Sequence, residues 1–270
     1  MILIANKDIS NSTSLALATY QSLVDSRASF AEKVEEAKRR FSQYNVKGNP
    51  TFDDIKRTLV EMCMGPERCH YCEDSKADEV EHIQPKDWFP ERCFQWGNYC
   101  YVCGPCNGPK NNKFAIFGNE SNVPIELVRK KGDPIIEPPL GELVLLNPRT
   151  ENPLAFLFLD LLNRQYVFTE MHEKGSRDYE RANYTIRILG LNSRSYLVKA
   201  RKNAYNNYKA RLTEYIHQKT GSGPKKKLDE LIDNLKQEHH QTVWQEMKRQ
   251  FDFIPELTVL FEQAPEAFGW

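Results

Sequence analysis

The stretch that decides the fold runs from residue 69 to residue 107 and reads CHYCEDSKADEVEHIQPKDWFPERCFQWGNYCYVCGPCN. It opens on one Cys-x2-Cys pair, Cys69 and Cys72, and closes on a second, Cys103 and Cys106, about thirty residues later. Each two-residue gap lets the chain turn so that both thiolates approach one ion, and two such pairs complete a tetrahedral zinc site. The segment has no long periodic pattern, so we expect zinc binding to supply its folding free energy.

Two other interpretations of these cysteines stay open. Cys100 also precedes Cys103 by a two-residue gap, which resembles the start of an iron–sulfur run, although no fourth cysteine follows at the required spacing. Alternatively the cysteines are buried thiols without a ligand. Of the remaining candidates, Cys63 and Cys93 are expected to be core thiols, and His70 a solvated residue rather than a ligand.

Between and beside the pairs lie side chains suited to hydrolysis. Glu81 directly precedes His82, Asn98 follows in a Trp-x-Asn segment, and Asn107 comes directly after the last paired cysteine. A carboxylate next to a histidine offers an oxygen ligand for Mg²⁺ and a general base, which phosphodiester hydrolysis requires. Each piece alone is more often a surface pair or a turn residue, so their order relative to the cysteines carries the argument.

The segment resembles the HNH (ββα-metal) endonucleases in the order of its motifs. These are Cys-x2-Cys, Glu-His-Ile-x-Pro-Lys, Trp-x-Asn and Cys-x2-Cys-Asn-x2-Lys. The similarity is to the subgroup found in Septu anti-phage systems and related retron effectors. It covers Cys69 to Phe114, and a weaker similarity extends over most of residues 60 to 212. We therefore expect an α+β fold, a mainly helical chain with an embedded zinc-stabilised ββα-metal module.

The resemblance also implies roles. His82 would be the general base, Glu81 and Asn107 the ligands of a catalytic Mg²⁺ or Mn²⁺, and Asn98 the residue that holds the loop. The paired cysteines match the family's structural zinc ligands. Lysines placed for phosphate contacts are Lys86, Lys110 and Lys113. Glu81 stands where Asp is commoner and Asn107 where many members have His; an amide oxygen favours Mg²⁺ or Mn²⁺ over zinc.

Periodicity and breakers divide the chain into four regions. Residues 1–62 form an N-terminal helical region, with one helical unit from Thr13 to about Tyr44 and a second opened by Thr51 and Asp54 as a capping box. Residues 63–118 form the nuclease module. Residues 119–220 form a mixed, then helical, extension, with a helix break at residues 190–192 and the next helix capped by Asn192 or Ser193. Residues 225–270 hold a last helix, from residue 226 to about residue 251, and a tail.

The composition is typical of a globular protein, and the net charge of zero means that the protein is not basic as a whole. It has 37 basic and 37 acidic side chains in 270 residues, 40% hydrophobic residues and seven cysteines. No signal peptide or membrane span is expected, so we predict a cytoplasmic protein in which cysteines bind metal rather than pair as disulfides.

Charge is unevenly distributed. Between Arg181 and Thr213 there are eight Lys or Arg, no acid and interleaved tyrosines. This stretch is interpreted as a nucleic-acid track, as a helix pair whose basic face meets acids elsewhere, or as a partner-docking surface.

The favoured function is a DNA endonuclease in an anti-phage defence complex. The resemblance implies an ATPase partner similar to the SMC and OLD-type ATPases, because Septu-type nucleases act with one. Two alternatives remain: a catalytically silent, zinc-stabilised adaptor that binds nucleic acid or protein, and a structural zinc protein of an assembly.

Overall fold

Helices make up most of the regular structure in the computed structural model, which describes residues 1–119 and 121–270. The helices are α1 (Asn11–Asp25), α2 (Phe30–Tyr44), α3 (Pro50–Glu61), α4 (Gly104–Lys110), α5 (Arg177–Ile188), α6 (Ser195–Thr220), α7 (Lys225–Lys236), α8 (Gln241–Gln250) and α9 (Pro255–Gln263). The strands are β1 (Glu79–His82), β2 (Tyr99–Val102), β3 (Phe114–Phe117), β4 (Pro124–Leu127), β5 (Glu142–Leu143), β6 (Leu157–Leu159) and β7 (Phe168–Glu170).

The ββα unit consists of β1, β2 and α4. The two strands pair antiparallel, with Glu81 opposite Cys100 and His82 opposite Tyr99, and α4 starts directly after β2 with Cys103 as its N-cap residue. This mixed helix-and-strand arrangement, with a buried four-cysteine cluster beside it, confirms the expected fold class.

The first region differs from its prediction in two places. The expected unit from Thr13 to Tyr44 is two helices, because Ser29 and Glu32 form a capping box that starts α2 after a turn. The third helix is not capped by Thr51. Asn49 caps it instead, by accepting hydrogen bonds from the backbone N–H groups of residues 51 and 52, and Pro50 occupies the first helical position.

Small sheets and the second half of the chain complete the fold. A three-stranded sheet has the order β4–β3–β5, and β6 pairs with β7 as a hairpin. The predicted break after α5 is present, with Gly190 at φ +58°, but Arg194 rather than Asn192 or Ser193 precedes α6 as its cap residue. No helix within residues 1–119 and 121–270 is long and apolar enough to cross a membrane.

The predicted last helix is also two helices. α7 and α8 are separated at His240, which adopts a left-handed backbone with φ +56°. The buried His240 ring lies 3.3 Å from Asp74. This contact joins residues that are 166 positions apart in the sequence. At His240 the backbone leaves the helical conformation, although the local sequence favours a helix. Buried apolar side chains from all parts of the chain form one continuous cluster, and the four-region division stays a prediction.

Candidate active site and metal centre

The four paired cysteines meet in the interior. The Sγ atoms of Cys69, Cys72, Cys103 and Cys106 all lie within 4.8 Å of one another, and all four residues are buried. The Cys72 and Cys103 sulfurs are 3.8 Å apart. A tetrahedral zinc ion with Zn–S bonds of about 2.3 Å would separate its sulfurs by about 3.8 Å. The donor set therefore fits a zinc ion, and this cysteine cluster could hold one.

Tight turns bring each pair together. The Glu73 N–H donates to the Cys69 carbonyl at 2.9 Å, which closes the first turn, and the Cys106 N–H donates to the Cys103 carbonyl at 2.9 Å at the start of α4. A third region of the chain reaches the cluster, because Arg194 Nη2 donates to Cys106 Sγ at 3.2 Å. A guanidinium beside sulfur is favourable when that sulfur is a thiolate, as in a metal complex.

The remaining cysteines lie outside the cluster. Cys100 is buried but is not one of the four convergent residues, so the geometry gives no support to the iron–sulfur interpretation. Burial raises the pKa of the Cys100 and Cys93 thiols to about 12, so both are neutral side chains. Cys93 is a core thiol as predicted, whereas Cys63 is only partly buried.

His70 was expected to be solvated, and that prediction is wrong. Its side chain is buried, with Nδ1 accepting a hydrogen bond from the Tyr101 N–H at 3.1 Å and Nε2 3.5 Å from Cys63 Sγ. Burial lowers the pKa of His70 to about 3, so the ring is neutral. It packs the turn between the first two cysteines against β2.

His82 occupies the last position of β1, with its ring buried. The ring centroid lies 4.4 Å from that of Phe41 and 5.3 Å from that of Tyr99, in edge-on packing. Nε2 lies 2.9 Å from the Cys93 carbonyl oxygen. Because a carbonyl only accepts, Nε2 carries the hydrogen and Nδ1 keeps its lone pair. Burial, assisted by the nearby Lys86 charge, lowers the pKa of His82 well below its usual range.

Glu81 is buried beside an equally buried cation. Its carboxylate accepts a hydrogen bond from Lys110 Nζ, which also donates to the His82 carbonyl oxygen at 2.8 Å. Burial raises the pKa of Glu81 above its ordinary value, against the opposing effect of the Lys110 charge. The Lys110 side chain has no exposed surface, so in this conformation it is out of reach of a phosphate in solvent.

Asn98 joins the two ends of the loop between β1 and β2. Its Oδ1 accepts from the Gln84 N–H at 2.8 Å, and its Nδ2 donates to the Gln84 carbonyl at 3.0 Å and the Arg92 carbonyl at 2.9 Å. The amide is buried and does not face the cleft described below. It fixes the backbone directly after His82.

Asn107 lies on α4, one turn from Lys110, and faces β1. Its Nδ2 donates to the carboxylate of Glu79, a residue that the sequence analysis did not single out. The available signal was the two-residue alternation of a strand, which places Glu79 and Glu81 on the same face. Because Glu79 engages the amide nitrogen, the Asn107 carbonyl oxygen is the atom left for a cation.

These residues border one cleft of about 400 Å³. Glu79, Glu81, His82 and Asn107 line it, together with Lys86 from the loop after β1. The structure thus brings three of the four predicted catalytic residues to one cavity and keeps Asn98 behind it. Of the predicted phosphate contacts, Lys86 faces the cleft and Lys113 is exposed just after α4.

The basic stretch from Arg181 to Thr213 is mostly engaged within the protein. Six of its eight cations contact other groups: Arg181 with Glu151, Arg187 with Glu126, Arg194 with Cys106, Arg201 with the Tyr166 and Leu191 carbonyls, Lys209 with Glu256, and Arg211 with Glu238. Within the described chain, Lys199 and Lys202 have no carboxylate within 4.0 Å. The contacts favour the interpretation as a packed helix pair over a nucleic-acid track.

The Glu81–Lys110 pair leads to a stability prediction. Removing the cation in a Lys110→Met variant leaves a buried carboxylate without its partner, which costs about 3–5 kcal/mol of unfolding free energy. We expect urea denaturation to show this loss. The matched control is Lys113→Met, three residues on and exposed, which should change stability by less than about 0.5 kcal/mol. A double variant, Glu81→Gln with Lys110→Met, should recover much of the loss; equal stability of Lys110→Met and the parent would contradict the buried pair.

Comparison with known proteins gives one partial similarity. The chain is 43% identical over 61 residues to the Septu protein PtuB of Bacillus thuringiensis. The match covers 21% of this chain and 23% of the relative, so under a quarter of the relative's length is spanned. No family model matches the chain. No solved structure matches it either.

Proposed function

We propose that this protein is a metal-dependent endonuclease of the HNH type, acting on DNA as the nuclease subunit of an anti-phage defence complex. The observation that carries the proposal is the state of His82 in the cleft. Its imidazole is neutral, held by the Cys93 carbonyl at Nε2, and borders the same cavity as Glu81 and Asn107. A neutral, oriented imidazole beside oxygen donors is the arrangement that hydrolysis of a phosphodiester needs.

The proposed catalytic cation would be held by Glu81 and the Asn107 carbonyl oxygen, with Glu79 beside them. Carboxylate and amide oxygens are the donors that Mg²⁺ and Mn²⁺ prefer, so the residues present fit such an ion. When bound, the ion would neutralise charge on the scissile phosphate and stabilise the leaving oxygen. Its fit is chemical: the carboxylates of Glu79 and Glu81 and the Asn107 amide all line the cleft.

The protein's own residues supply the rest of the reaction. His82 Nδ1 takes a proton from the attacking water as the water oxygen bonds to phosphorus and the bond from phosphorus to the leaving oxygen breaks. The Cys93 carbonyl prevents ring rotation, and Asn98 fixes the loop that follows. Lys110 favours the ionised form of Glu81 against the effect of burial, and it orients the carboxylate from behind.

The defence role and the ATPase partner rest on similarity. The sequence pattern resembles Septu nucleases, and a segment of the chain is similar to a Septu protein of Bacillus thuringiensis. We therefore propose an SMC- or OLD-like ATPase as partner and phage DNA as substrate. The cysteine cluster is proposed to hold structural zinc in that complex.

A cleavage assay tests the catalytic proposal. The full chain, alone and as the complex recovered from its host, is incubated with plasmid DNA in Mg²⁺, in Mn²⁺ and in EDTA. We expect cleavage only with metal, and a loss of at least about 100-fold in Glu81→Gln, because charge stabilisation by a metal is worth several kcal/mol. The control, Glu137→Gln on the exposed surface, should cleave like the parent. DNA binding without cleavage under every metal would favour the silent adaptor instead.

A further inference from the structure

The far wall of the cleft is built by the N-terminal helices. Phe41 and Asn45, from the end of α2, and Lys56, from α3, line the same 400 Å³ cavity as Glu81 and His82. These helices were assigned no functional role by the sequence. The Phe41 ring packs directly on His82, and Asn45 and Lys56 border the same cavity beside it.

In the part of the chain that the structure describes, two lysines that line the cleft have no ion-pair partner. Lys56 and Lys86 line the cleft, and within the described residues neither has a carboxylate within 4.0 Å. Other lysines close by are paired: Lys38 with Asp87 at 2.7 Å, and Lys110 with Glu81. The Lys86 ammonium lies 5.1 Å from the centre of the Phe41 ring, so the two elements meet at this wall.

Asn45 adds an unsatisfied polar atom. Its Oδ1 is buried and has no hydrogen-bond partner among the residues described. Leaving a buried acceptor unpaired costs about 1–3 kcal/mol, and such atoms are uncommon. The sugar-phosphate backbone of DNA brings acceptors and no donors, so the two lysines, and not this oxygen, are the candidate contacts for one.

The arrangement of charge indicates which ligand fits the cleft. Glu79, Glu81 and the Asn107 amide line the cleft on the side of β1 and α4, where a cation is proposed. The ammonium groups of Lys56 and Lys86, unpaired within residues 1–119 and 121–270, line it on the side of Phe41 and α3, and Asp87 there is paired with Lys38. A polyanionic strand running between the two sides would place its scissile phosphate against the first and its flanking phosphates against the second.

We infer that the α2–α3 wall, together with Lys86 on the loop after β1, is a binding site for the sugar-phosphate backbone of the substrate strand, with Lys56 and Lys86 each on a phosphate flanking the scissile one. This inference rests on the proposed function, since it takes the cleft as the place of hydrolysis. It also places the nucleic-acid surface away from the basic stretch on α5 and α6, where most of the cationic side chains contact other groups of the protein.

Binding measurements test it without relying on cleavage. In a His82→Gln background, fluorescence anisotropy gives the Kd for a short labelled DNA duplex and its single strand over a range of salt. Lys56→Gln and Lys86→Gln should each weaken binding several-fold and lower the slope of log K against log salt by about 1. The matched controls, Lys199→Gln and Lys202→Gln on α6, should leave both quantities unchanged. Lys56→Arg should restore the slope.

The outcomes separate the two proposals. If Lys56→Gln binds like the parent, or loses affinity with no change of slope, the inference is wrong even where the parent cleaves DNA. If Lys199 or Lys202 carries the salt dependence instead, the track lies on α6 and the inference is overturned. If the parent fails to cleave with any metal, the proposed function fails while the binding result still stands.

Discussion

Replacing Cys72 by alanine is expected to abolish zinc binding and unfold the ββα unit. β1 and β2 have four residues each and α4 has seven, and such elements are marginal alone in water. Structural zinc contributes about 10–16 kcal/mol of apparent binding free energy in small zinc domains, which is comparable to the total stability of a whole domain. The cluster also joins α4 to Arg194, so its loss is expected to spread to the helices behind.

Measurements of zinc content and of stability together test the expected effect of Cys72→Ala. The parent should contain one zinc per chain by atomic emission, and Cys72→Ala none, with protease cleavage appearing within residues 63–118. The matched control is Cys100→Ala, which removes a buried thiol outside the cluster. It should keep its zinc and lose only about 0.5–3 kcal/mol of unfolding free energy. A Cys72→Ala protein as stable as the parent and equally rich in zinc would refute the cluster as a structural metal site.

Replacing His82 by glutamine is expected to lower the rate of DNA cleavage by about 100- to 10,000-fold, the range for loss of a general base. Glutamine places an amide N–H where Nε2 now donates to the Cys93 carbonyl, and it fills most of the space beside Phe41. It offers no nitrogen lone pair at the Nδ1 position. The variant therefore separates proton transfer from packing.

The measurement is single-turnover cleavage of plasmid DNA with Mg²⁺, with zinc content and thermal unfolding as checks on the fold. His217→Gln, at the exposed end of α6, is the control and should cleave at the parent's rate. Cleavage by His82→Gln at the parent's rate would exclude His82 as the base. Loss of zinc in this variant would instead indicate a structural defect, and Asn in place of Gln would then repeat the test.

Spacing was enough to predict the cysteine cluster, because two matched Cys-x2-Cys pairs have few other uses. The positions of Glu81 and His82 came from resemblance, and their chemistry could be argued, but the sequence does not say that Lys110 is buried against Glu81. A lysine on a short helix looks like a surface residue until β1 is placed beside it. Glu79 can be predicted from strand alternation, which places it on the same face of β1 as Glu81.

Other features depend on contacts that no local pattern encodes. Lys56 and Asn45 reach the cleft only because α2 and α3 pack against the loop and β2 of the ββα unit, which lies later in the chain. His240 breaks a helical pattern through a contact with Asp74. By contrast, the start of α2 could be predicted from Ser29 and Glu32, whose spacing is that of a capping box, although the surrounding strong helix formers favoured one continuous helix.

The packing of Phe41 on His82 determines whether the ββα unit can be moved to another protein by itself. The ring that covers the imidazole comes from α2, outside residues 63–118, and its neighbour Lys56 comes from α3. Grafting residues 63–118 onto another scaffold would carry the cysteine cluster and the proposed catalytic side chains but leave the imidazole of His82 uncovered. A transplant that keeps the geometry must include α2 and α3 as well, so it runs at least from residue 30 to residue 118.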